Sequence, residues 1–216
     1  MARSRCRRCS NALSACICQW ISPIDNQTRV IILQHPDEQK KPLGTAKIVA
    51  LSLQNCVLKV GADFTQDEDI NRWVALKDPQ VKILYPSESA VELQYWDSQT
   101  SAIESTIKPS TSLKKEARTL IVLDGTWRNT REILNLNPAL KRLPAVRLLP
   151  ESPSIYRIRK APFKSSLSTV EAVTQALKTL EPSTEVESMM LCFRSMIDYQ
   201  ISRMGEAVYK KNYQSQ

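Results

Sequence analysis

Short runs of apolar residues alternate with amphipathic segments along most of the chain. Five of these runs have the length and continuity of strands buried on both faces, and each is closed by a proline, a glycine or polar residues. They cover residues 29–35, 56–60, 81–85, 120–123 and 145–149. Strands that alternate with helices at this spacing predict an α/β fold, in which a mostly parallel sheet carries helices on both faces.

Five amphipathic helices are predicted between and after these strands. They should cover residues 45–54, 65–76, 126–137, 168–181 and 185–213. Thr65 with Glu68, and Ser168 with Glu171, have the spacing of capping boxes, which would fix the starts of two of these helices. Two irregular stretches remain, a polar loop at 37–41 and a surface crossing at 90–116 that holds one short strand at 91–95.

Two predicted strands have polar residues of interest at their carboxyl ends. Asp124, Thr126 and Trp127 follow the strand at 120–123, and His35 closes the first strand. Ligands of open α/β sheets bind outside such ends, so chemistry is expected there. Two structural alternatives stay open: a single histidine more often makes structural hydrogen bonds than it catalyses, and Trp127 could be a core residue that supports the loop.

Composition narrows the classes of protein that fit. With 42% hydrophobic and 24% charged residues, the chain has the balance of a folded domain. Its four glycines never form G-x-G-x-x-G or the Walker A pattern, and its single histidine excludes histidine-rich metal sites. No apolar run is long enough for a membrane span, and the first residues lack the apolar core of a signal peptide. We therefore expect a cytoplasmic protein with no membrane partner.

The charge of the chain favours a polyanionic partner. A net charge of +8 and a pI near 9.2 make nucleic acid the leading class, and a merely solvated basic surface is the alternative. The most basic part of the body covers residues 141–164. If residues 156–160 are extended, Arg157 and Arg159 point to the same side, which suits contact with an RNA backbone.

Four cysteines near the N-terminus have the spacing of a metal site. Cys6 and Cys9 form a C-x-x-C pair, and Cys16 and Cys18 follow as C-x-C. In a reducing compartment such a cluster is expected to hold one tetrahedral Zn²⁺ rather than disulfides. The metal would supply the folding energy that so short a segment lacks.

This zinc knuckle defines a predicted N-terminal domain over residues 1–22, followed by a main domain over residues 23–216. Arginines are interleaved with the cysteines and no acid occurs before Asp25, so the knuckle presents a cationic face that suits phosphates. A purely structural staple for the N-terminus is the alternative.

The cysteine cluster is followed in order by H-P at 35–36, by D-G-T-W at 124–127, and by the segments 156–160 and 168–172. With these motifs over nearly its whole length, the chain resembles the DTW-domain family, whose bacterial members are tRNA-uridine aminocarboxypropyltransferases. The resemblance implies a SPOUT-like fold with a C-terminal trefoil knot. It also implies that the co-substrate S-adenosylmethionine (SAM) binds in the knot loops, which would lie at 86–89, 123–127 and 148–168.

The reaction implied by the resemblance moves the 3-amino-3-carboxypropyl group of SAM to N3 of a tRNA uridine, uridine 47 of the variable loop, and releases 5′-methylthioadenosine. The sulfonium is already a good leaving group, so the protein mainly aligns the reacting atoms and helps N3 to lose its proton. Two other functions stay open: a SPOUT-like SAM-dependent RNA methyltransferase, and a zinc-containing RNA-binding protein without activity. Monomer and homodimer also both stay open.

Roles for individual residues follow from the same resemblance. We predict Asp124 as the acceptor of the N3 proton, with Arg157 and Lys160 as catalytic cations. A free aspartate is a weak base for N3–H, so the role requires burial or nearby cations. The residues predicted to bind SAM are Pro86, Ser87, Leu123, Gly125, Thr126, Trp127, Leu149, Ser168, Thr169 and Glu171. The residues predicted to contact RNA are Arg3, Arg5, Arg7, Arg8, His35, Arg128, Arg159 and Lys164.

Overall fold

One parallel sheet organises the protein. The computed structural model describes residues 4–41, 44–97, 118–150, 152–158 and 166–214. Its six strands are β1 (Arg29–Gln34), β2 (Cys56–Val60), β3 (Val81–Leu84), β4 (Val91–Glu92), β5 (Thr119–Asp124) and β6 (Ala145–Arg147). They pair in the order β2-β1-β5-β3-β6-β4, and every pair is parallel. The predicted parallel α/β fold is confirmed.

Helices of very different lengths lie between the strands and after the last one. They are α1 (Pro36–Gln39), α2 (Ala46–Ser52), α3 (Glu68–Leu76), α4 (Trp127–Leu136), α5 (Thr169–Leu180), α6 (Glu187–Met204) and α7 (Glu206–Tyr209). Short 3-10 turns lie at Leu13–Ala15, Cys18–Trp20, Leu93–Tyr95 and Leu140–Arg142, and a π-helical turn at Lys210–Gln214. Among the described residues, no helix is both long enough and apolar enough to cross a bilayer.

Both faces of the sheet are covered, as predicted, because its central strands are apolar at successive positions. On β1, Val30 and Ile32 belong to the core formed with α2, α5 and α6, whereas Ile31 and Leu33 belong to the core formed with α3 and α4. All four side chains are fully buried. Successive side chains of a strand point to opposite faces, so one apolar strand serves two cores.

The strand order places several carboxyl ends at one edge of the sheet. β5 lies between β1 and β3 although it follows both in the chain, and β6 lies on the other side of β3. In parallel sheets a crevice for ligands opens at this edge. The SPOUT-like trefoil knot stays a prediction, and residues 159–165 of its predicted last loop lie outside the described part of the chain.

Two predicted helix boundaries were wrong. The N-cap of α3 is Asp67, whose carboxylate accepts a hydrogen bond from Ile70 N at 3.1 Å, and not Thr65. Thr65 is held in a preceding turn, since its N–H donates to Asp63 Oδ1 at 2.8 Å. The predicted final helix is broken at Gly205, whose φ of 83° ends α6. Glycine adopts this conformation without the steric cost that a side chain would bring.

Two predicted irregular segments contain ordered structure. Residues 36–39 form the single turn α1 instead of a loop, because Pro36 is favourable in the first turn of a helix. In the predicted surface crossing, Leu93 and Trp96 are buried, and the carbonyl of Trp96 accepts a hydrogen bond from Lys82 Nζ at 3.0 Å. The remainder of that crossing, residues 98–117, lies outside the described residues.

A buried carboxylate joins the end of α5 to the start of β1. Glu181 accepts hydrogen bonds from the backbone N–H groups of Gln27, at 2.9 Å, and Thr28, and from the hydroxyl of Thr184 at 2.9 Å. Burial alone would raise the pKa of this carboxyl, but the hydrogen bonds from Thr28 and Gln27 outweigh it and lower the pKa below its usual value. Glu181 therefore stabilises the fold in its ionised form.

Glu181→Gln should lower the free energy of unfolding at pH 7 by about 1.5–3 kcal/mol, because hydrogen bonds to a charged acceptor are lost. The pKa is lower in the folded state than the value of 4.5 for a free glutamate, so this contribution is present above pH 4.5 and is lost as the pH falls through the folded-state pKa. Urea unfolding at several pH values measures the difference. The exposed Glu185→Gln is the matched control, and a difference that does not shrink in acid would contradict the assignment.

Candidate active site

A cavity of about 900 Å³ opens at the carboxyl edge of the sheet. Its walls come from the ends of β3, β5 and β6 and from the starts of α4 and α5. This volume is within the range of small-molecule sites. The cavity brings together predicted site residues from three segments: Pro86, Leu123, Asp124, Gly125, Thr126, Trp127, Ser168 and Thr169.

Asp124 ends β5 and is held from two sides. Gln34 Nε2, at the end of β1, donates to Asp124 Oδ2 at 2.8 Å, and the hydroxyl of Thr169, the first residue of α5, donates to Oδ1. Asp124 lines the cavity although the residue is only 8% exposed. The two hydrogen bonds fix the orientation of its oxygens. A group that accepts a proton or a hydrogen bond from a substrate needs such a fixed orientation.

The turn after Asp124 brings the backbone of Gly125 close to the side chain of Asn129. A Cβ on Gly125 would lie 2.9 Å from the Cβ of Asn129 in the first turns of α4, so a larger residue would displace the helix. Thr126 caps this helix, since its hydroxyl accepts a hydrogen bond from Asn129 N at 3.2 Å. The glycine and the cap together place Trp127 at the mouth of the cavity.

Trp127 is 44% exposed, and its ring meets the ring of Tyr85 edge to face, with centroids 6.5 Å apart. Both side chains line the cavity. The alternative that Trp127 is a core residue is therefore wrong. An exposed aromatic wall of this kind suits stacking with a nucleobase or an adenine.

His35 is a structural residue in this arrangement. Its Nδ1 accepts hydrogen bonds from Asp37 N at 3.2 Å and from the side-chain amide of Asn129 at 3.1 Å, and it caps α1. With two donors at Nδ1, the proton of the neutral ring lies on Nε2, which is 3.7 Å from a carboxylate oxygen of Glu132. Because the ring is buried, this favours the structural alternative over the predicted contact with RNA.

Glu171 holds the loop before α5 and does not line the cavity. Its carboxylate accepts hydrogen bonds from the backbone N–H and the hydroxyl of Ser168, at 2.8 and 2.6 Å, which confirms the predicted capping box. It also accepts from the hydroxyl of Ser154 at 2.8 Å and from Ile155 N at 2.7 Å. Four donors fix this buried carboxylate, so it shapes the wall that Ser168 presents to the cavity.

Several predicted site residues are not brought to the cavity. Residues 157–158 form a turn instead of an extended strand, and Arg157 is directed to Asp198 on α6, with which it forms an exposed ion pair. Leu149 is 58% exposed, and its carbonyl accepts a hydrogen bond from Gln175. Ser87 lies outside the lining and its hydroxyl is 3.3 Å from that of Ser89.

Four predicted residues, Arg3, Arg159, Lys160 and Lys164, lie outside the described part of the chain. The remaining predicted RNA contacts are on the surface. Arg5, Arg7 and Arg8 are exposed on the knuckle, and Arg128 is exposed on α4.

Other residues of the lining were not predicted. Arg147 ends β6, and its guanidinium is 3.8 Å from the carboxylate of Glu92. Tyr85 directly follows β3, so the rule that ligands bind at strand ends would have found both. Glu38 and Lys41 lie at the opening as an ion pair of 2.7 Å. They come from the segment interpreted as a loop, where no periodic signal marks them.

The four N-terminal cysteines form one cluster. Their sulfur atoms lie within 4.8 Å of one another, with Cys6 and Cys18 3.7 Å apart and Cys9 and Cys16 3.8 Å apart. All four thiols are free. Ligands at the usual Zn–S distance of about 2.3 Å in a tetrahedron are about 3.8 Å from one another, so the donor set fits a zinc ion.

The surroundings of the cluster shift the pKa values of its thiols in opposite directions, and burial with the neighbouring sulfur atoms raises the pKa of Cys18 to about 12. Backbone N–H groups of Cys9 and Arg8 donate to the sulfur of Cys6 and lower its pKa to about 6. The segment is packed on the body of the protein, where Cys9 and Ile17 join the core of α2 and α6. Trp20 meets the ring of Tyr199 on α6 at 6.1 Å. The division into domains at residue 22 stays a prediction.

The fold and the cavity define an α/β protein with a large cavity at the carboxyl edge of its sheet. Residues 3–201 match the model of the DTW domain. The chain belongs to the DTW-domain family, as its resemblance predicted.

Named relatives cover most of the chain. It is 30% identical to tRNA-uridine aminocarboxypropyltransferase 2 of Mus musculus over 98% of this chain and 68% of the relative. It is 31% identical to the protein of the same name from Drosophila melanogaster, over 92% of this chain and 76% of the relative. It is 27% identical to tRNA-uridine aminocarboxypropyltransferase A of Arabidopsis thaliana, over 99% and 89%. These relatives are transferases by name, which agrees with the predicted enzyme class. No solved structure matches the chain.

Proposed function

We propose that this chain is a tRNA-uridine aminocarboxypropyltransferase, which transfers the 3-amino-3-carboxypropyl group of SAM to N3 of a tRNA uridine, uridine 47 of the variable loop. The observation that carries the proposal is the cavity, where an oriented carboxylate, an exposed aromatic wall and a helix N-terminus meet in a chain of this family. The names of the relatives support tRNA as the substrate. A cytoplasmic location and the trefoil knot belong to the same proposal.

The residues of the cavity fit SAM by size and by chemistry. A volume of about 900 Å³ is sufficient for a ligand of that size. Pro86, Leu148 and Trp127 offer apolar and aromatic surface for the adenosine half. The start of α5, beside Ser168 and Thr169, offers the positive end of a twelve-residue helix to the carboxylate of the methionine half, although the N–H of Ser168 itself is bonded to Glu171.

Asp124 is the proposed acceptor of the N3 proton. When bound, SAM supplies a carbon activated by its sulfonium: the new C–N bond forms as the C–S bond breaks, and the sulfur keeps the electron pair in 5′-methylthioadenosine. The proton of N3 passes to the Asp124 carboxylate and from there to water. Gln34 and Thr169 fix this carboxylate before the substrate arrives, so little reorganisation is needed during the reaction.

The proposed metal of the cysteine cluster is zinc, with Cys6, Cys9, Cys16 and Cys18 as its four ligands. A site with four protein ligands has no open position, so its role is structural. Because the cluster packs against α2 and α6, the ion would stabilise the N-terminal segment against the body.

The identity of the group that leaves SAM decides between this proposal and methyl transfer. Purified protein is incubated with unmodified tRNA and with SAM labelled either in the methyl group or in the aminocarboxypropyl carbons. We expect label in tRNA only from the aminocarboxypropyl carbons, and mass spectrometry should locate the product on uridine. Label from the methyl group alone would identify a methyltransferase. Absence of label with both, in a protein that binds tRNA, would leave a binding protein without activity.

The zinc proposal predicts roughly one zinc ion per chain after purification, measured by elemental mass spectrometry. Cys6→Ser should lose most of this zinc and melt at a lower temperature, because one of four ligands is missing. Cys56→Ser is the matched control, since Cys56 lies on β2, apart from the cluster. Full zinc content in Cys6→Ser, or wild-type protein without zinc after growth in zinc-supplemented medium, would refute the assignment.

A further inference from the structure

The outer face of α4 carries a basic groove beside the cavity. The groove has a volume of about 410 Å³ and is lined by Arg128, Arg131, Glu132, Asn135 and Leu136. Residues 128, 131, 132 and 135 are three or four apart, so they form one stripe along the helix. The opposite stripe, which includes Ile133 and Leu134, is buried against the sheet.

Lys141 extends the groove beyond the end of α4. Its Nζ donates to Asn135 Oδ1 at 2.9 Å, which directs this cation along the same stripe. Arg142 is exposed next to it in the following 3-10 turn. The surface therefore gathers cations from two consecutive elements.

The cations of this groove form no ion pair with a carboxylate of the described residues. Within the described ranges of the chain, no carboxylate lies within 4.0 Å of the charged nitrogens of Arg128, Arg131 or Lys141, and Glu132 faces His35 Nε2 at 3.7 Å. The lining holds two arginines and one glutamate, with Lys141 beside them, so the groove keeps a net positive charge that suits an anionic partner.

Several cations on the other long helices form ion pairs, unlike those of the α4 groove. Arg72 on α3 pairs with Asp69 at 3.0 Å. Lys178 on α5 and Arg194 on α6 both pair with Glu187, at 3.1 and 3.0 Å. These pairs are exposed and contribute little to stability, but they reduce the local positive charge.

We propose that the α4 groove binds backbone phosphates of the tRNA whose uridine enters the cavity. The groove and the cavity adjoin, because Trp127 lines the cavity and the next residue, Arg128, lines the groove. A uridine that enters the cavity on the side of Trp127 therefore leaves its flanking backbone at the start of the stripe. Arginines at 128 and 131 can each bind a phosphate through two N–H groups, and Lys141 adds a third contact. This inference rests on the proposed function for the identity of the RNA.

The test compares two triple variants that remove the same charge. Arg128→Gln/Arg131→Gln/Lys141→Gln empties the groove of cations, and Arg72→Gln/Lys178→Gln/Arg194→Gln removes paired cations elsewhere. Binding of unmodified tRNA is measured by fluorescence anisotropy over a series of salt concentrations, and binding of SAM by calorimetry. Affinity falls as salt rises, and each lost phosphate contact makes the plot of log K against log salt less steep by about 0.7–0.9. In the groove variant the magnitude of this slope should therefore fall by about 2–3, and tRNA should bind at least about tenfold more weakly. The affinity of the control variant should stay within about twofold of wild type.

The measurement of SAM binding shows whether the groove proposal or the proposed function is wrong. Wild-type protein that binds SAM and tRNA, with equal RNA affinity and slope in both triple variants, would overturn the groove and leave the function intact. If wild-type protein binds no SAM but its RNA affinity depends on the groove cations, the result would support RNA binding by the groove and contradict the transferase proposal. Unchanged SAM binding in both variants shows that each is folded.

Discussion

Two hydrogen bonds to the carboxylate of Asp124 connect the three elements on which the cavity depends. Gln34 brings the end of β1 to it, Thr169 brings the start of α5, and Asp124 itself ends β5. A buried carboxylate without donors is costly, so these bonds are needed for the fold as well as for orientation. The edge of the sheet and the first turn of α5 are thereby fixed relative to one another, and the cavity forms between them.

A second layer of buried polar contacts supports this arrangement. Asn129 connects the start of α4 to His35 at the end of β1, and it lies so close to Gly125 that the turn after Asp124 accepts no side chain there. Glu171 fixes the loop at residues 154–155 to the start of α5. These two loops are therefore attached to rigid elements, which is a condition for a preorganised site.

Local pattern predicted the strands and several segments that line the cavity, but not the partners of their side chains. The apolar run before Asp124 identified β5 because burial on both faces leaves a continuous signal, and the capping box at Ser168 is a local rule. The contact between Gln34 and Asp124 joins residues 90 apart in sequence, which no local pattern reports. Arg157 was misplaced because a turn replaced the extended chain on which its direction depended. The break at Gly205 was missed because the amphipathic pattern continues past it.

The central claim is that the oriented carboxylate of Asp124 accepts the proton of N3. The most direct measurement is the single-turnover rate of Asp124→Asn with unmodified tRNA and SAM, with SAM affinity measured in parallel and the exposed Asp25→Asn as a control of equal charge change. Asparagine keeps the size of the side chain but cannot take up the proton, so the rate should fall by about 10²–10⁴ while SAM affinity changes little. An unchanged rate in Asp124→Asn would contradict the account.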